Sequence, residues 1–479
     1  PLMLSSLLQL LFNAADIIVV GKFAGHQALA AVSSTGALVN LIVNLFIGLS
    51  VGTNVLVARQ IGARENEKIY KTVHTAMALS FIGGVILTVF GVVAANPLLT
   101  LMNVPSDVID LSTLYLQIYF LGITAMLVYN YGAAILRAKG DTKRPLYFLT
   151  IAGIVNVVLN LILVIIFHMG VAGVGIATTI SQIISAVLVF YCLMHEQENM
   201  RLNPKEMKID FETLVEVMKI GLPAGIQGSV FSLSNVVIQS TINSFGSAVM
   251  AGNGAAGNIE GFVYVGMNAF YQSCLTFTGQ NYGAGKIDRV KKTLYCCQFL
   301  VIITGLVLGI GAWYFGEPLL SIYASESEVI QAGMVRLGYV ARFYFLCGIM
   351  DVMVGILRGL GKSTMPMIVS IVGVCGIRIA WIYAIFYQLT DFTQTSDLAY
   401  LYVSYPISWI ITFIVHFICY LVISKKVFKT YDKLNCKFNS FTFCFNLLKK
   451  PSLSQLIGYL KLTPKYPLES FISLPYSSL

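Results

Sequence analysis

Charge is scarce in this chain. Its 479 residues include 31 Lys and Arg and 22 Asp and Glu, 11% in all, where soluble domains carry roughly 25%. A water-soluble fold with 57% apolar residues and a mean hydropathy of +0.79 would hold more apolar surface than its polar residues can cover, and a bilayer removes that requirement. The shortage excludes an ordinary soluble protein and implies a polytopic membrane protein. It also changes the meaning of the net charge of +9: nucleic acid is not the implied partner, and the question becomes which side of the membrane the positive charge lies on. Other absences exclude enzyme chemistry. There is no Walker loop of the form Gly-x-x-x-x-Gly-Lys-Ser/Thr, no nucleotide-binding glycine cluster after a strand, and no His/Cys set with zinc spacing, so neither a cofactor nor a metal is implied. Cys192, Cys274, Cys296, Cys297, Cys347, Cys375 and Cys419 lie in apolar stretches without framework spacing and read as small core residues.

What the chain has instead is length without charge. A span needs about 20 apolar residues to cross roughly 30 Å of hydrocarbon. Cutting the uncharged runs at turn signals gives twelve segments, approximately 1–20, 34–58, 72–95, 111–136, 145–167, 171–194, 214–242, 256–278, 293–315, 335–357, 366–388 and 399–424. The run from Pro145 to His195 holds no Asp, Glu, Lys or Arg and is too long for one span, and His168-Met169-Gly170 is where it is expected to turn. Basic residues then alternate from loop to loop. Arg59, Arg64, Lys68 and Lys71 follow the second segment, Arg137, Lys139, Lys143 and Arg144 the fourth, and Lys286, Arg289, Lys291 and Lys292 the eighth, whereas 96–110, 243–255, 316–333 and 388–400 carry none, which leaves Lys22 as the one clear basic residue of the opposite side. Both termini are thus expected on the cytoplasmic side of a multi-pass protein of the cell membrane, and Gly252-Asn253-Gly254 reads as a turn on the opposite side. The chain begins at Pro1 with no charged stretch ahead of the first apolar run, so the first helix is expected to be truncated and is no signal peptide. Residues 430–479 turn polar, basic and Ser-rich and read as a cytoplasmic tail, with interfacial docking through Phe441, Phe443 and Phe445 as the alternative.

The two halves repeat at an offset of 221. Arg137-Ala138-Lys139-Gly140 precedes Arg358-Gly359-Leu360-Gly361 by that number, as Asn96-Pro97-Leu98-Leu99 precedes Glu317-Pro318-Leu319-Leu320 and Gly62-Ala63 precedes Gly283-Ala284. Six spans separate the copies, an even number, so both enter the membrane in the same orientation and are related by an axis along the membrane normal. The expected fold is all-α: twelve transmembrane helices in two six-helix bundles related by a pseudo-two-fold axis, residues 1–194 and 213–429, joined by a cytoplasmic linker at 195–212. Such a pair of bundles encloses a cleft whose access can switch by rocking. A duplicated scaffold that transports nothing is the bland reading.

At this point the residues resemble the multidrug and toxic compound extrusion (MATE) family. The resemblance runs from Pro1 to about Lys429 and rests on Phe12-Asn13-Ala14-Ala15-Asp16 with Val20-Gly21, on Arg59-Gln60-Ile61-Gly62-Ala63 with its second copy Gly279-Gln280-Asn281-Tyr282-Gly283-Ala284-Gly285, and on the two Arg-x-x-Gly loops. It implies export of small organic, cationic or aromatic compounds in exchange for H⁺ or Na⁺, through a monomer that alternates its access. A lipid or lipid-linked oligosaccharide flippase of related architecture is the alternative.

A charge at membrane depth costs at least about 2.5–3.5 kcal/mol on insertion scales, so each one needs a partner or a function. Asp16 stands in the first helix with Asn13 a turn earlier and Phe12 at i−4. Burial favours the neutral form of a carboxylate, and with amide oxygens nearby it can instead hold a bare cation. Asn156 and Asn160 share a face of the fifth helix, and Thr178 lies at matching depth in the sixth. These positions resemble the polar cluster of the family's DinF-like branch, with Asn160 where many members carry an acid, which suits a proton or a monovalent cation. Two asparagines at helical spacing can also merely join helices. The seventh-helix acid of the NorM-like branch is absent after Gly221-Leu222-Pro223. The candidate cavity charges of the second half are Glu260, readable as a first-turn carboxylate favoured by the helix dipole, and Asp351, expected to pair with Arg342 or Arg378. Phe262, Tyr264, Met267, Phe270 and Tyr271 can stack on flat compounds, although most of them read as core or lipid-facing.

Overall fold

The computed structural model describes residues 1–24, 26–101, 104, 108–196, 199–323, 326–389 and 397–448. Among these residues there is no strand, because in hydrocarbon an isolated segment satisfies its own backbone N–H and C=O groups only as a helix. The first half runs α1 (Leu2–Phe23), α2 (His26–Ala63), α3 (Asn66–Leu101), α4 (Ile109–Lys139), α5 (Lys143–Asn160, prolonged by a π turn at Leu161–Ile166) and α6 (Gly170–Met194). The second runs α7 (Phe211–Asn243), α8 (Ser247–Gly283), α9 (Ile287–Tyr314), α10 (Gly316–Ser321), α11 (Ser327–Tyr339), α12 (Phe345–Gly359), α13 (Thr364–Leu389, with π turns at Ile371–Gly376 and Ile382–Phe386), α14 (Leu398–Tyr402) and α15 (Ser404–Leu448). Pro1–Tyr420 forms one compact unit and Leu421–Leu479 a second. The last helix runs beyond Thr430 to Leu448, while the side chains of Phe441, Phe443 and Phe445 lie outside the described residues.

Ten of the described helices are long and apolar enough to cross a membrane, and α11 with α12, bent by 44° at their junction, makes an eleventh if taken as one span. The twelfth expected span is α8, which its glycines, asparagines and glutamines make less apolar than the others. The polarity pattern is that of lipid as solvent. On α3, Ile82, Val85, Ile86, Val89, Phe90 and Val93 recur at helical spacing and all are exposed, while Gly83, Gly84, Leu87, Gly91 and Ala95 on the other face are buried. Thr72, His74, Thr75 and Ser80 of the same helix are buried. His168 and Gly170 have positive φ (51° and 53°), which makes the expected reversal between α5 and α6. Gly252-Asn253-Gly254, expected as a turn, lies within α8. A Cβ on Gly252 would sit 2.4 Å from the Val329 carbonyl oxygen, so this glycine serves the packing of α11 and makes no turn. Among the described cysteines, Cys274, Cys297, Cys347 and Cys375 are buried as expected, but Cys296 is exposed.

The repeat is written in the backbone itself. Gly140 closes α4 in the left-handed region (φ 98°), and Gly361, at 140 plus 221, does the same after α12 (φ 80°). The hydrogen bonds match position for position: Gly140 N to Arg137 O and Asp141 N to Leu136 O in one half, Gly361 N to Arg358 O and Lys362 N to Leu357 O in the other. Arg64 (φ 59°) and Gly285 (φ 70°) are likewise 221 apart, as are the starts of the π turns at Leu161 and Ile382. The halves meet through helix backbones. A Cβ on Gly62 would lie 2.0 Å from Gln280 O, and one on Gly283 would lie 2.0 Å from Arg59 O. Gly62 plus 221 is Gly283 and Arg59 plus 221 is Gln280, so this contact maps onto itself, and α2 and α8 cross on the pseudo-two-fold axis. Farther along α2, a Cβ on Gly48 would lie 2.2 Å from Gly225 N and one on Gly52 2.8 Å from Gly221 N of α7, the close approach that small residues permit between membrane helices. Asn54 spans the junction: its Nδ2 donates to Ala134 O (2.9 Å) and its Oδ1 accepts from Thr276 Oγ1 (3.0 Å).

The basic loop after α4 is more than a topology signal. Glu196 accepts from Lys139 Nζ (2.7 Å) and pairs with Arg144, which also pairs with Asp141. Burial opposes the charge of Glu196, but the hydrogen bonds and charges of Lys139 and Arg144 outweigh it and hold the carboxylate below its usual range. Two predictions follow from this architecture. A depressed carboxylate contributes stability above its unfolded value, about 4.3, and loses it as pH falls through the lower folded value. Glu196→Gln should therefore lower the melting temperature at pH 7, by a free energy on the order of 1 kcal/mol. That difference should shrink below about pH 4; a difference independent of pH between 3 and 7 would contradict the ion pairing. Gly48→Val places Cβ where Gly225 N lies 2.2 Å away, so it should destabilise by about 1–3 kcal/mol. Thermal unfolding in detergent checks it, and an unchanged midpoint would mean that α2 and α7 do not touch.

Candidate functional site

Four of the five side chains expected to form an amino-terminal ion site come together. A notch positions α1: a Cβ on Gly153 of α5 would sit 1.7 Å from the Phe12 ring, so the ring lies against bare backbone. Asp16, one turn on from Phe12, then faces Asn156 and Asn160, which are one and two turns on from Gly153. Asn160 Nδ2 donates to Asp16 Oδ1 and also lies 3.3 Å from Asn156 Oδ1; Asn156 Nδ2 lies 3.5 Å from Thr178 Oγ1, and Thr178 Oγ1 donates to Asp16 Oδ2 at 3.4 Å. The polar groups close a ring across α1, α5 and α6. Asn156 and Asn160 are buried, and Asn160 Oδ1 is a buried acceptor without a donor. The π turn that follows Asn160 is a distortion common at functional positions. No cationic side chain pairs with Asp16 in the ring. Asn13 is not part of it: it is exposed and lies round the helix from the face that Phe12 and Asp16 turn to α5.

The second half holds a cavity of about 570 Å³ between α7, α8, α11, α12, α13 and α15. Here three expectations are corrected. Glu260 is not in the first turn of its helix, because α8 begins at Ser247, a turn and more before the expected start at 256. It is buried in mid-helix and bound on both oxygens by Arg336, from Nε (2.9 Å) and Nη2 (2.7 Å). Asp351 lines the cavity but forms no ion pair or hydrogen bond with either Arg342 or Arg378 among the described residues. Arg342 sits in the turn Ala341–Phe343, where the bend between α11 and α12 aims it outward over the Trp313 ring, 4.9 Å from its centre. Arg378 does reach the cavity.

Arg336 and Asn253 were missed by sequence reasoning. Arg336 also donates to Asn253 Oδ1, which accepts from the Tyr402 hydroxyl (2.9 Å) as well, while Asn253 Nδ2 donates to Gln239 (2.9 Å). The available signal was an arginine set between Val335 and Leu337 in an apolar run. Of the aromatic candidates, Tyr264 lines the cavity, Tyr271 and Met267 are buried in the core, and Phe262 is exposed.

Comparison with known proteins agrees with this architecture. YoeA of Bacillus subtilis (strain 168), a probable multidrug resistance protein, is 28% identical over 433 residues, covering 89% of this chain and 92% of the relative. A FAD transporter of Shewanella oneidensis is 26% identical over 329 residues, 67% of this chain and 72% of its own length. In fold, the chain superposes with a TM-score of 0.82 on an outward-facing MATE family transporter of the MOP superfamily, at 22% identity and covering 90% of this chain and 95% of that one. A MOP superfamily transporter from Pyrococcus furiosus, described by its binding pocket of reverse polarity, gives 0.81 at 21% identity, with 87% and 93% covered. The MatE family profile matches twice, at residues 1–162 and 223–384, an offset within one residue of the internal repeat. The chain therefore belongs to the MATE family, whose members are multi-pass membrane transporters and not enzymes.

Proposed function

We propose that the protein is a secondary antiporter that exports small organic, cationic or aromatic compounds from the cell in exchange for H⁺ or Na⁺. The observation that carries this reading is Asp16: a carboxylate inside the membrane held by neutral groups only, Asn160 and Thr178, with the unused Asn160 Oδ1 in the same cluster. An unpaired carboxylate in hydrocarbon is unfavourable. Binding a proton removes the charge, and binding a sodium ion compensates it with oxygen ligands from Asp16 and the amides. Either event changes the hydrogen bonds that join α1 to α5 and α6. The ring thus couples ion occupancy to the packing of the amino-terminal bundle.

In the cycle that follows, residues 1–194 and 213–429 move as two bundles joined by the linker at 195–212, with both termini in the cytoplasm. One chain supplies both bundles, so a monomer suffices. The outward-open protein takes up the ion at Asp16, releases its substrate, turns inward and exchanges the ion for new substrate. Ion and substrate then favour opposite states of one equilibrium, and each weakens the binding of the other by the same factor.

Right-side-out vesicles loaded with a fluorescent aromatic dye, with an inward proton or sodium gradient imposed separately, test the coupling. The wild-type protein should respond to one of the two gradients, and Asp16→Asn should lose at least nine-tenths of that response. Transport by Asp16→Asn that stays fully gradient-dependent would remove Asp16 from the coupling. Flipping of a labelled lipid without any gradient dependence would favour a flippase instead. Asn160→Ala removes one hydrogen bond to the charged carboxylate, about 1.5 kcal/mol, and should shift the apparent affinity for the coupling ion roughly tenfold, weaker if that ion is Na⁺, which loses an amide ligand, and tighter if it is H⁺, because the hydrogen bond favours the ionised carboxylate. Dye efflux measured against ion concentration checks it, and an unchanged half-saturating concentration would leave Asn160 a structural role only.

A further inference from the structure

The charges around the carboxyl-half cavity do not cancel locally. Arg336 and Glu260 neutralise each other through two hydrogen bonds. Asp351 lines the cavity too and forms no ion pair or hydrogen bond among the described residues. Arg358 is held by neutral groups, the Tyr271 hydroxyl (2.6 Å) and Gln227 Oε1 (2.9 Å). That leaves Arg378. It is only 5% exposed, yet no carboxylate pairs with it among the described residues. Its Nε donates to Ser408 Oγ (3.0 Å), its plane lies over the Tyr405 ring at 3.9 Å with Trp409 at 5.4 Å, and its Nη2 has no acceptor.

A guanidinium so buried and without an anion is costly to leave unpaired. Its planar fork matches a carboxylate bidentately, and the rings beneath it fix its orientation before any ligand arrives. The walls beside it, Phe231, Tyr264, Tyr344 and Trp409, offer flat apolar faces. About 570 Å³ lies within the range of small-molecule sites. We propose that this cavity is a substrate site for aromatic carboxylates, with the carboxylate taken by Arg378 and the ring system lying against the aromatic wall. The inference rests on the export reading for its direction of transport, but the binding can be measured without it.

Three probes that share one fluorophore separate the alternatives: dansylglycine carries a carboxylate, dansylamide is neutral and dansylcadaverine is cationic. With purified full-length protein in lipid nanodiscs and no ion gradient, dansylglycine should bind at least tenfold more tightly than either of the others. Arg378→Gln should remove that preference while leaving dansylamide affinity unchanged, and Arg378→Lys, which keeps the charge without the fork, should restore part of it. Equal affinities of the three probes in the wild-type protein would overturn the proposal whatever the variants do, and so would a preference that survives Arg378→Gln. Anion preference without gradient-driven efflux would sink the export reading and leave this site standing; gradient-driven efflux without anion preference would do the reverse.

Discussion

Hydrocarbon offers no hydrogen bonds and solvates no charge, and the rest of this molecule follows from that. It is why the described chain is helical, why small residues rather than ion pairs bring α2 against α7 and α8, and why the few polar side chains at membrane depth gather into closed sets. The same constraint makes exceptions informative. Glu260 is matched by Arg336, whereas Asp16 is met by amides and a hydroxyl and Arg378 by aromatic faces. A bilayer tolerates such unmatched charges only where something else compensates them for part of the time.

Asp16 and Arg378 lie in different copies of one repeat. The copies share the left-handed residues that end their helices and the hydrogen bonds around them, so the duplicated scaffold survives in the parts that determine where chains turn. The side chains have diverged. One copy carries a single acid among neutral oxygens, suited to a small cation, and the other carries an arginine on aromatic walls, suited to a planar anion. A symmetric frame with asymmetric contents is a natural basis for exchange, because ion and substrate can act on one rocking motion from opposite bundles without sharing a pocket.

Much of this was legible beforehand where the signal is local. The α5–α6 reversal at His168-Met169-Gly170, the repeat offset and the face shared by Asn156 and Asn160 follow from hydropathy, turn residues and helical spacing. The same rules misplaced Gly252-Asn253-Gly254, because glycine between polar residues signals a turn in water and a close helix contact in a membrane. They also placed Asn13 with Asp16, since a spacing of three residues is compatible with one face but does not require it. Which of the two faces α5 depends on the ring of Phe12 seating on Gly153.

The sequence by itself determined the class of protein, the number and order of the spans, their repetition and the first-half cluster around Asp16, because these depend on composition and on neighbours a few residues apart. Only the tertiary structure decided that Glu260 is bound by Arg336, 76 residues away, that Arg342 turns outward, and that Arg378 is left without an anion. Pairing across helices depends on how each helix is rotated and where the bend between α11 and α12 falls. Those are set by the packing of glycines and rings over the whole unit, which no local pattern records.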